Sequence, residues 1–479
     1  MTTIAPPPKL DDPPRAMASV ATVIVDRPRS SGALAIDLAL GFAGTVAMWA
    51  VGYVCMTAPG LVVGEILFAL TIAALLGVAI LAGRLHPIGF APTAGWRRGL
   101  RVGLVSATVN LLIVGSLFGS GSDLATAALW IGGLYVVSAA VGVAGGAVGQ
   151  MLEPMRREIA PLGLFGAVAA TAVFLLLITG GLVTGMEAGL AVPDWPNSFG
   201  HNMLLYPLSE MTGGIYYEHA HRLYGMLVGV TALTFLVLAW RLDRRNTVRF
   251  VTLAVFTMVC VQGLLGGLRV TGNLTMSQDA ADLAPNLTLA IVHGVFGQVI
   301  FATLCGLAVV TSGSWSRATP SAVAGGDSDR FLSAALPFAI VGQLVLGACY
   351  RHLQVHGEDG LLHHPLWALH SHIAFGVLVA ALAIAVGLRS WGRHGDRPVL
   401  RRLGLALIAT ICLQLLLGTA ALVAVFVRPG VEIPVWELLI TSAHQATGAV
   451  LLGMSTMLAL WTRRLVAESP MAPAIAQPA

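Results

Sequence analysis

Long apolar stretches dominate the chain, and each contains almost no Asp, Glu, Lys or Arg. A helix that crosses the hydrocarbon core of a bilayer needs about 20 mostly apolar residues. Twelve stretches of roughly that length predict about twelve transmembrane helices and an all-α polytopic membrane protein. The predicted spans are residues 34–56, 62–83, 102–120, 124–148, 162–185, 219–240, 250–268, 287–311, 331–350, 366–388, 403–427 and 438–462.

The overall composition excludes an ordinary soluble domain. Of the 479 residues, 56% are hydrophobic and only 10% are charged, whereas charged residues make up about a quarter of a typical soluble domain. The five cysteines include no close pair, so the sequence indicates neither a CxxC metal site nor a disulfide framework. Nucleic-acid binding has no support in the sequence.

The basic residues fall on alternate connections between the predicted spans. Of the 27 Lys and Arg residues, 23 lie on one side of this topology, which the positive-inside bias identifies as the cytoplasmic side. Both termini are therefore predicted to be cytoplasmic, and the proline-rich residues 1–32 are predicted to be a disordered tail and not a signal peptide. The four basic residues on the other side are Arg222, Arg269, Arg351 and Arg428.

Four intramembrane histidines reveal an internal repeat, because each is followed by glycine four residues later. They are His221, His293, His372 and His444, and the separation within the first pair and within the second pair is 72 residues. The segment 260–266 also aligns with 412–418, each beginning with Cys-x-Gln and ending in glycine. The predicted units are a tail (1–32), a four-helix extension of unknown role (33–155), two tandem four-helix bundles (160–312 and 330–465) and a cytoplasmic tail (466–479).

The four histidines lie at the same predicted depth in the membrane, within two apolar helix bundles. This arrangement indicates bound cofactors. A single histidine on an apolar helix is usually a satisfied core residue, but ionisable groups in a bilayer are costly and mark functional sites. One imidazole from each of two helices can hold a flat macrocycle with its iron ligated from both faces. The repeat therefore predicts two heme sites, one between His221 and His293 and one between His372 and His444. Zinc is disfavoured, because no thiolate or carboxylate recurs beside the pairs at metal-ligand spacing.

The glycines and the outer arginines have a role in this hypothesis. Side chains at i and i+4 share a helix face, so glycine one turn after each histidine would let a porphyrin lie close; close helix packing is the alternative explanation. Heme propionates are carboxylates, and Arg222, Arg269, Arg351 or Arg428 could bind them at the membrane edge. Anchoring of these arginines in the lipid headgroups is the alternative.

The two halves differ next to the first histidine of each pair. Glu218 lies three residues before His221, on the same helix face, and the matching residue in the second half is Leu369. Arg222 corresponds in the same way to Ile373. The first half therefore has an acid suited to proton transfer, and the second half is suited to holding a redox cofactor. A helix N-terminal carboxylate favoured by the helix dipole is the alternative explanation for Glu218.

Two further histidines and one loop complete the set of candidates. His219 and His370 each lie two residues before a predicted ligand and are second choices as ligands. The longest outer connection, residues 186–218, has no Lys or Arg and leads directly to Glu218. This loop is a candidate cover for a site at the outer face.

Residues 160–465 resemble the heme A synthase family, the membrane enzymes that convert heme O to heme A for cytochrome oxidases. The similarity lies in four motifs: the Glu218-xx-His221-Arg222 motif, the stretch from Gly181 to Pro196, the Gln262 to Gly266 segment followed by Arg269-Val270-Thr271-Gly272, and the later histidines.

The resemblance implies that His372 and His444 hold heme b in the C-terminal half. Heme O would bind at His221 and His293, and Glu218 would take part in oxidation of a ring methyl group to a formyl group. The resemblance also implies a bacterial plasma membrane location. The implied partners are the farnesyltransferase that forms heme O and cytochrome oxidase assembly factors. The oligomeric state is left open.

Two features depart from the family pattern. Some members have a cysteine pair in the first outer loop, but residues 186–218 contain no cysteine, so no redox-active disulfide is expected there. The four N-terminal helices lie outside the family core, and Asp37 and Glu65 are their candidate intramembrane acids.

Three other function classes compete with this one. A diheme b-type electron-transfer protein predicts two permanently bound, spectrally similar hemes and no dependence on Glu218. A heme-handling transporter predicts a labile heme and no product. A transporter built from repeats without a cofactor predicts a colourless protein.

Overall fold

The regular structure is almost entirely helical. A computed structural model describes residues 29–57, 63–118, 123–271, 287–353, 355–356, 362–363, 365–428 and 433–467. Its helices are α1 (Arg29–Met56), α2 (Val63–Arg84), α3 (Gly95–Phe118), α4 (Leu124–Met151), α5 (Pro161–Gly185), α6 (Gly213–Leu242), α7 (Asn246–Thr271), α8 (Leu287–Val310), α9 (Gly313–Arg317), α10 (Gly326–His352), α11 (Leu366–Arg393), α12 (Pro398–Phe426) and α13 (Val435–Leu465). The predicted tails 1–32 and 466–479 lie almost wholly outside the described residues.

The strands are short and pair two by two. They are β1 (Leu85–Pro87), β2 (Met155–Arg157), β3 (Asn197–Ser198), β4 (His201–Asn202), β5 (Ser321–Ala322), β6 (Val355–His356), β7 (Leu362–His363) and β8 (Val466–Ala467). β1 pairs with β2 and β5 with β8 in parallel, whereas β3–β4 and β6–β7 are antiparallel. Two 3-10 turns, Met203–Leu205 and Leu208–Glu210, lie in the connection between α5 and α6.

The helix lengths confirm the prediction of an all-α polytopic membrane protein. In the described ranges, eleven helices are long and apolar enough to cross a membrane. The twelfth long helix, α13, has 31 residues and corresponds to the predicted span 438–462. It falls outside those eleven, and the polar residues His444 and Gln445 at its centre lower its hydropathy.

Two helices of each repeat pack against the other repeat. In the first repeat, α5 packs against α6 and α8, and α7 packs between α6 and α8. In the second repeat, α10, α11, α12 and α13 follow the same order of neighbours. α13 also packs against α5 and α8, and α10 against α8. These four helices therefore form the interface between the two repeats.

Backbone contact between glycines holds the N-terminal extension together. α3 and α4 approach so closely that a Cβ at Gly99 would overlap the carbonyl oxygen of Gly142. Gly95 and Gly146 meet in the same way one turn along. Small residues allow this approach, and it maximises van der Waals contact between membrane helices.

α1 joins the extension to the first repeat. Trp49 packs edge-on against Tyr224 of α6, with ring centroids 5.3 Å apart. The hydroxyl of Tyr216 donates to the carbonyl oxygen of Tyr53 at 2.9 Å. The extension therefore braces α6, the helix that carries Glu218.

The two acids proposed for the extension have different surroundings. Asp37 is 1% exposed and pairs with Arg98 at 3.3 Å and Arg101 at 2.8 Å. This carboxylate joins α1 to α3, since both arginines lie on α3. Glu65 is exposed.

We expect the α5–α6 connection and the α11–α12 connection to face opposite sides of the membrane. In a cysteine-free background, a cysteine introduced at Asn202 should react with an impermeant thiol reagent added outside. A cysteine at Gly395 should react only after the membrane is permeabilised. The reverse labelling pattern would contradict the predicted orientation.

Candidate functional site

The four repeat histidines face one another in two pairs. The ring centroids of His221 on α6 and His293 on α8 are 6.4 Å apart, with an angle of 72° between the rings. Those of His372 on α11 and His444 on α13 are 6.3 Å apart, with an angle of 82°. A metal bound to one imidazole nitrogen on each side at about 2 Å would separate two ring centroids by about 6 Å. Each pair is therefore spaced to ligate one iron from both faces.

A glycine on the preceding helix stands opposite each imidazole. A Cβ at Gly180 of α5 would lie 3.0 Å from Cε1 of His221, and one at Gly266 of α7 would lie 3.1 Å from Cε1 of His293. The second repeat has the same contacts, from Gly347 to His372 and from Gly418 to His444, both at 2.9 Å. Any larger side chain at these four glycines would displace the imidazole.

Glutamines fill the space beside three of the four glycines that follow the histidines. The Gln343 amide nitrogen lies 2.9 Å from a Cβ built at Gly376, and the Gln262 nitrogen 3.2 Å from one at Gly297. The Gln414 nitrogen lies 3.5 Å from one at Gly448. The glutamine side chains thus pack against these glycines, most tightly at Gly376, which favours the packing explanation at these three positions. At Gly225, in contrast, no described atom lies within 4 Å.

His372 of the second pair is fixed by hydrogen bonds from α10. Gln343 Nε2 donates to the carbonyl oxygen of His372 at 2.8 Å. Nδ1 of His372 lies 3.2 Å from the Gln343 carbonyl oxygen and 3.0 Å from Gln343 Nε2. A hydrogen on Nδ1 would donate to that carbonyl and leave Nε2 free to bind a metal, the usual arrangement of a metal-binding histidine.

His219 and His370 lie outside both pairs. The side chain of His219 is fully buried, its Nδ1 is 3.0 Å from Ser198 Oγ, and its ring centroid is 5.0 Å from that of Tyr206. His219 therefore binds the outer loop to α6. His370 is exposed. The geometry places His221 and His372, and not these neighbours, in the pairs.

Glu218 and Arg222 form a buried ion pair near the N-terminal end of α6, the end that is predicted to face outward. The Arg222 Nε and Glu218 Oε1 atoms are 3.1 Å apart, and the side chains are 7% and 8% exposed. α6 begins at Gly213, before the predicted span 219–240, so Glu218 lies beyond the first helical turn. Because the effect of the helix dipole fades within that turn, the dipole does not explain the position of this acid.

Arg222 also holds the outer loop. Its guanidinium donates to the carbonyl oxygens of Val192 at 2.8 Å, Asp194 at 2.7 Å and Asn197 at 3.0 Å. The guanidinium therefore already has acceptors from the protein, namely Glu218 and three backbone carbonyls. The expectation that Arg222 binds a propionate gains no support from this geometry.

The loop itself is ordered by Asp194 and Trp195. The Asp194 carboxylate accepts from the backbone N–H groups of Phe199 and Gly200, both at 2.8 Å. Partial burial acts to raise the pKa of Asp194, but these hydrogen bonds and the nearby Arg222 outweigh it and lower the pKa. The Trp195 ring lies directly over Gly267 of α7. The loop therefore covers the outer ends of α6 and α7.

The other outer arginines differ in their partners. Arg351 donates from Nη2 to the Thr184 carbonyl oxygen at 2.6 Å, and Arg428 Nε donates to Glu437 at 2.9 Å. Arg269 lies beside Gly189 of the loop, and its buried Nε has no hydrogen-bond partner among the described residues. A buried donor without a partner is costly, so Arg269 fits an incoming carboxylate best.

Comparison with known proteins places this site in a family. The family model described as cytochrome oxidase assembly protein matches residues 163–456. The chain belongs to this family. The match covers both histidine pairs and leaves α1–α4 outside.

Curated relatives carry a more specific name. The heme A synthase of Listeria monocytogenes serotype 4a (strain HCC23) is 32% identical over 144 residues, 30% of this chain and 42% of that protein. The heme A synthase of Bacillus cereus (strain 03BB102) is 29% identical over 150 residues, 31% of this chain and 43% of that protein. The chain thus spans less than half the length of the curated relatives it matches.

Several residues of the site were missed by the sequence analysis. Gln343 and Gly347 on α10 repeat the spacing of Gln262 and Gly266, and a search for Gln-xxx-Gly before each histidine would have found them. Thr179, 3.0 Å from His221 Nδ1, has no such repeated pattern to reveal it.

We expect Arg222→Gln to loosen the outer loop. Hydrogen bonds to a charged group contribute about 1.5–3 kcal/mol each, so amide hydrogen exchange over residues 192–200 should accelerate by roughly tenfold or more. Mass spectrometry of peptic peptides measures this exchange. Arg241→Gln, at the exposed other end of α6, is the control. Equal exchange in both variants would contradict the role given to Arg222.

Proposed function

We propose that the chain is a heme A synthase, a membrane oxidoreductase that oxidises a methyl group of heme O to a formyl group. The observation that carries this proposal is the asymmetry of two otherwise equivalent histidine pairs. Each pair is spaced for one iron, but only the first has a buried acid one turn away on the same helix. The names of the Listeria and Bacillus relatives support the choice of substrate.

The two pairs have different tasks in this proposal. His372 and His444 hold heme b, and His221 and His293 receive heme O. A bound heme iron with two imidazole ligands supplies one-electron transfer. Arg269 Nε, which has no hydrogen-bond partner among the described residues, is the best placed donor for a propionate, because Arg222 and Arg351 already bind backbone carbonyls.

The surroundings of the second pair support a held cofactor. The residue that matches Glu218 is Leu369, so no carboxylate lies at this position. Leu369 is buried, with 8% of its surface exposed. Ile373 takes the place of Arg222 and is 45% exposed. With apolar groups at both positions, α11 offers no proton-transfer group at the places that match Glu218 and Arg222.

Glu218 is positioned to hold and move a proton. Conversion of a methyl group to a formyl group adds one oxygen atom and, with that oxygen counted as water, releases four protons and four electrons. A basic group beside the substrate is therefore needed to accept protons. Arg222 fixes the carboxylate at 3.1 Å and ties it to the loop that covers the outer ends of α6 and α7. The loop limits access of bulk water, and the carboxylate at its edge connects the site to the outer face.

The setting of the reaction follows from this proposal. The chain is a multi-pass membrane protein, and we place it in a bacterial plasma membrane with both termini in the cytoplasm. Its proposed partners are the farnesyltransferase that forms heme O and cytochrome oxidase assembly factors. The extension α1–α4 braces α6 in this arrangement.

A diheme b-type electron-transfer protein is the second candidate function. The near-identical spacing of the two pairs, 6.4 Å and 6.3 Å, favours it. It assigns no chemical role to Glu218 and predicts the same porphyrin in both sites.

We expect Glu218→Gln to block heme A formation without loss of heme b. The amide is nearly the same size but cannot accept the proton, so the heme A to heme O ratio should fall about 10²-fold or more. Heme O or a hydroxymethyl intermediate should accumulate on the purified protein. Extraction of the porphyrins and their identification by mass measure this ratio.

A matched control is available in the second repeat. Glu437 is buried and pairs with Arg428 at the outer end of α13, so Glu437→Gln breaks a similar ion pair remote from His221. It should keep a heme A to heme O ratio near that of the wild type. Full heme A production by Glu218→Gln would show that this acid only anchors Arg222.

A further inference from the structure

The helix that precedes each histidine carries a five-residue pattern, and one of the four copies differs. In α7, α10 and α12 the pattern begins with glutamine, has leucine in fourth place and ends in the glycine that faces the imidazole. The three copies are 262–266, 343–347 and 414–418. In α5 the copy is Leu176-Leu177-Ile178-Thr179-Gly180. The polar residue has moved from the first place to the fourth.

The shift changes which group contacts the histidine. Gln262 and Gln343 donate to the main-chain oxygens of His293 and His372, both at 2.8 Å. Leu176 cannot do this for His221. Thr179 instead places its hydroxyl 3.0 Å from Nδ1 of His221.

The hydroxyl proton of Thr179 has its own acceptor. Thr179 Oγ1 lies 2.9 Å from the carbonyl oxygen of Leu176. A hydroxyl has one hydrogen and two lone pairs, so when it donates to Leu176 it can only accept from Nδ1–H of His221. That bond fixes the tautomer with Nε2 unprotonated, the nitrogen available to bind iron.

The two sites therefore differ in one anchoring bond. Each pair has one imidazole with a partner on Nδ1. For His221 this partner is the Thr179 hydroxyl. For His372 it is the Gln343 carbonyl oxygen at 3.2 Å, with the Gln343 amide nitrogen also 3.0 Å from Nδ1. Nδ1 of His293 and Nδ1 of His444 have no hydrogen-bond partner among the described residues. A main-chain carbonyl is a stronger acceptor than a hydroxyl, and a stronger acceptor on Nδ1 makes the imidazole a stronger metal ligand.

We propose that Thr179 is a positioning residue that presents His221 Nε2 to the iron and makes the first site release its heme faster than the second. The inference rests on the proposed function, in which the first site exchanges substrate for product and the second keeps its heme. A glutamine lies beside the glycine that follows each of the other three histidines, whereas the space beside Gly225 is open. Open space there agrees with a site that releases one heme and binds another.

Two variants of the full-length protein test the inference. Thr179→Val removes the hydroxyl at nearly constant volume, and Thr179→Ser keeps the hydroxyl. Each protein is loaded with ferric heme O, and transfer of this heme to excess apomyoglobin gives the release rate. The low-spin EPR signal of the loaded protein reports on the iron–imidazole bond.

We expect Thr179→Val to release heme O about tenfold faster, the scale of a lost partner of a metal ligand, with a shifted largest g value. Thr179→Ser should keep the wild-type rate and signal. Thr171→Val is the control, since Thr171 is an exposed residue of α5 whose hydroxyl donates to the Ala167 carbonyl. Retained heme b absorbance verifies folding in every variant.

Two results would overturn the inference. One is a Thr179→Val protein with the release rate and EPR signal of the wild type. The other is an equal shift in Thr179→Val and Thr179→Ser, which would make packing and not the hydroxyl responsible. A wild-type protein that takes up heme b but no heme O would instead contradict the proposed function itself, and the inference with it.

Discussion

The rest of the structure depends on one constraint: each imidazole needs open space on the helix that precedes its own. An imidazole between apolar helices needs room and a polar partner, because an unpaired polar group is costly there. Glycine on the preceding helix gives the room at all four positions. Gln343 and Thr179, from the same preceding helices, supply partners for His372 and His221. The helix pairs α5–α6, α7–α8, α10–α11 and α12–α13 are therefore the units of the site, and gene duplication would explain their repetition.

A second interaction, the set of hydrogen bonds made by Arg222, organises the end of the first repeat at which α6 begins. One guanidinium joins Glu218 to three loop carbonyls, so the acid, the cover and α6 form a single rigid unit. The second repeat has Ile373 at the matching position and cannot form this unit. The chemical difference between the halves thus comes from a few side chains on one scaffold.

The apolar pattern and the histidine repeat were sufficient to predict the helices and the two pairs, since hydrophobic length and equal spacing are directly visible in a sequence. The start of α6 was predicted too far along the chain, because the residues from Gly213 to Glu218 are polar enough to be taken for part of a loop. The partners of Arg222 and Arg351 are backbone carbonyls of distant loops, and no residue pattern encodes them. Thr179 was missed for the same reason: its role depends on which helix it faces.

The porphyrins bound by the purified protein test the central claim most directly. Protein from cells that supply heme O should contain heme b together with heme O or heme A, each identified by mass. His372→Ala should lose heme b and keep the farnesylated porphyrin, whereas His370→Ala, which changes an exposed residue, should keep both. A colourless wild-type protein, or heme b in both sites, would contradict the account, as would loss of heme b in His370→Ala but not in His372→Ala.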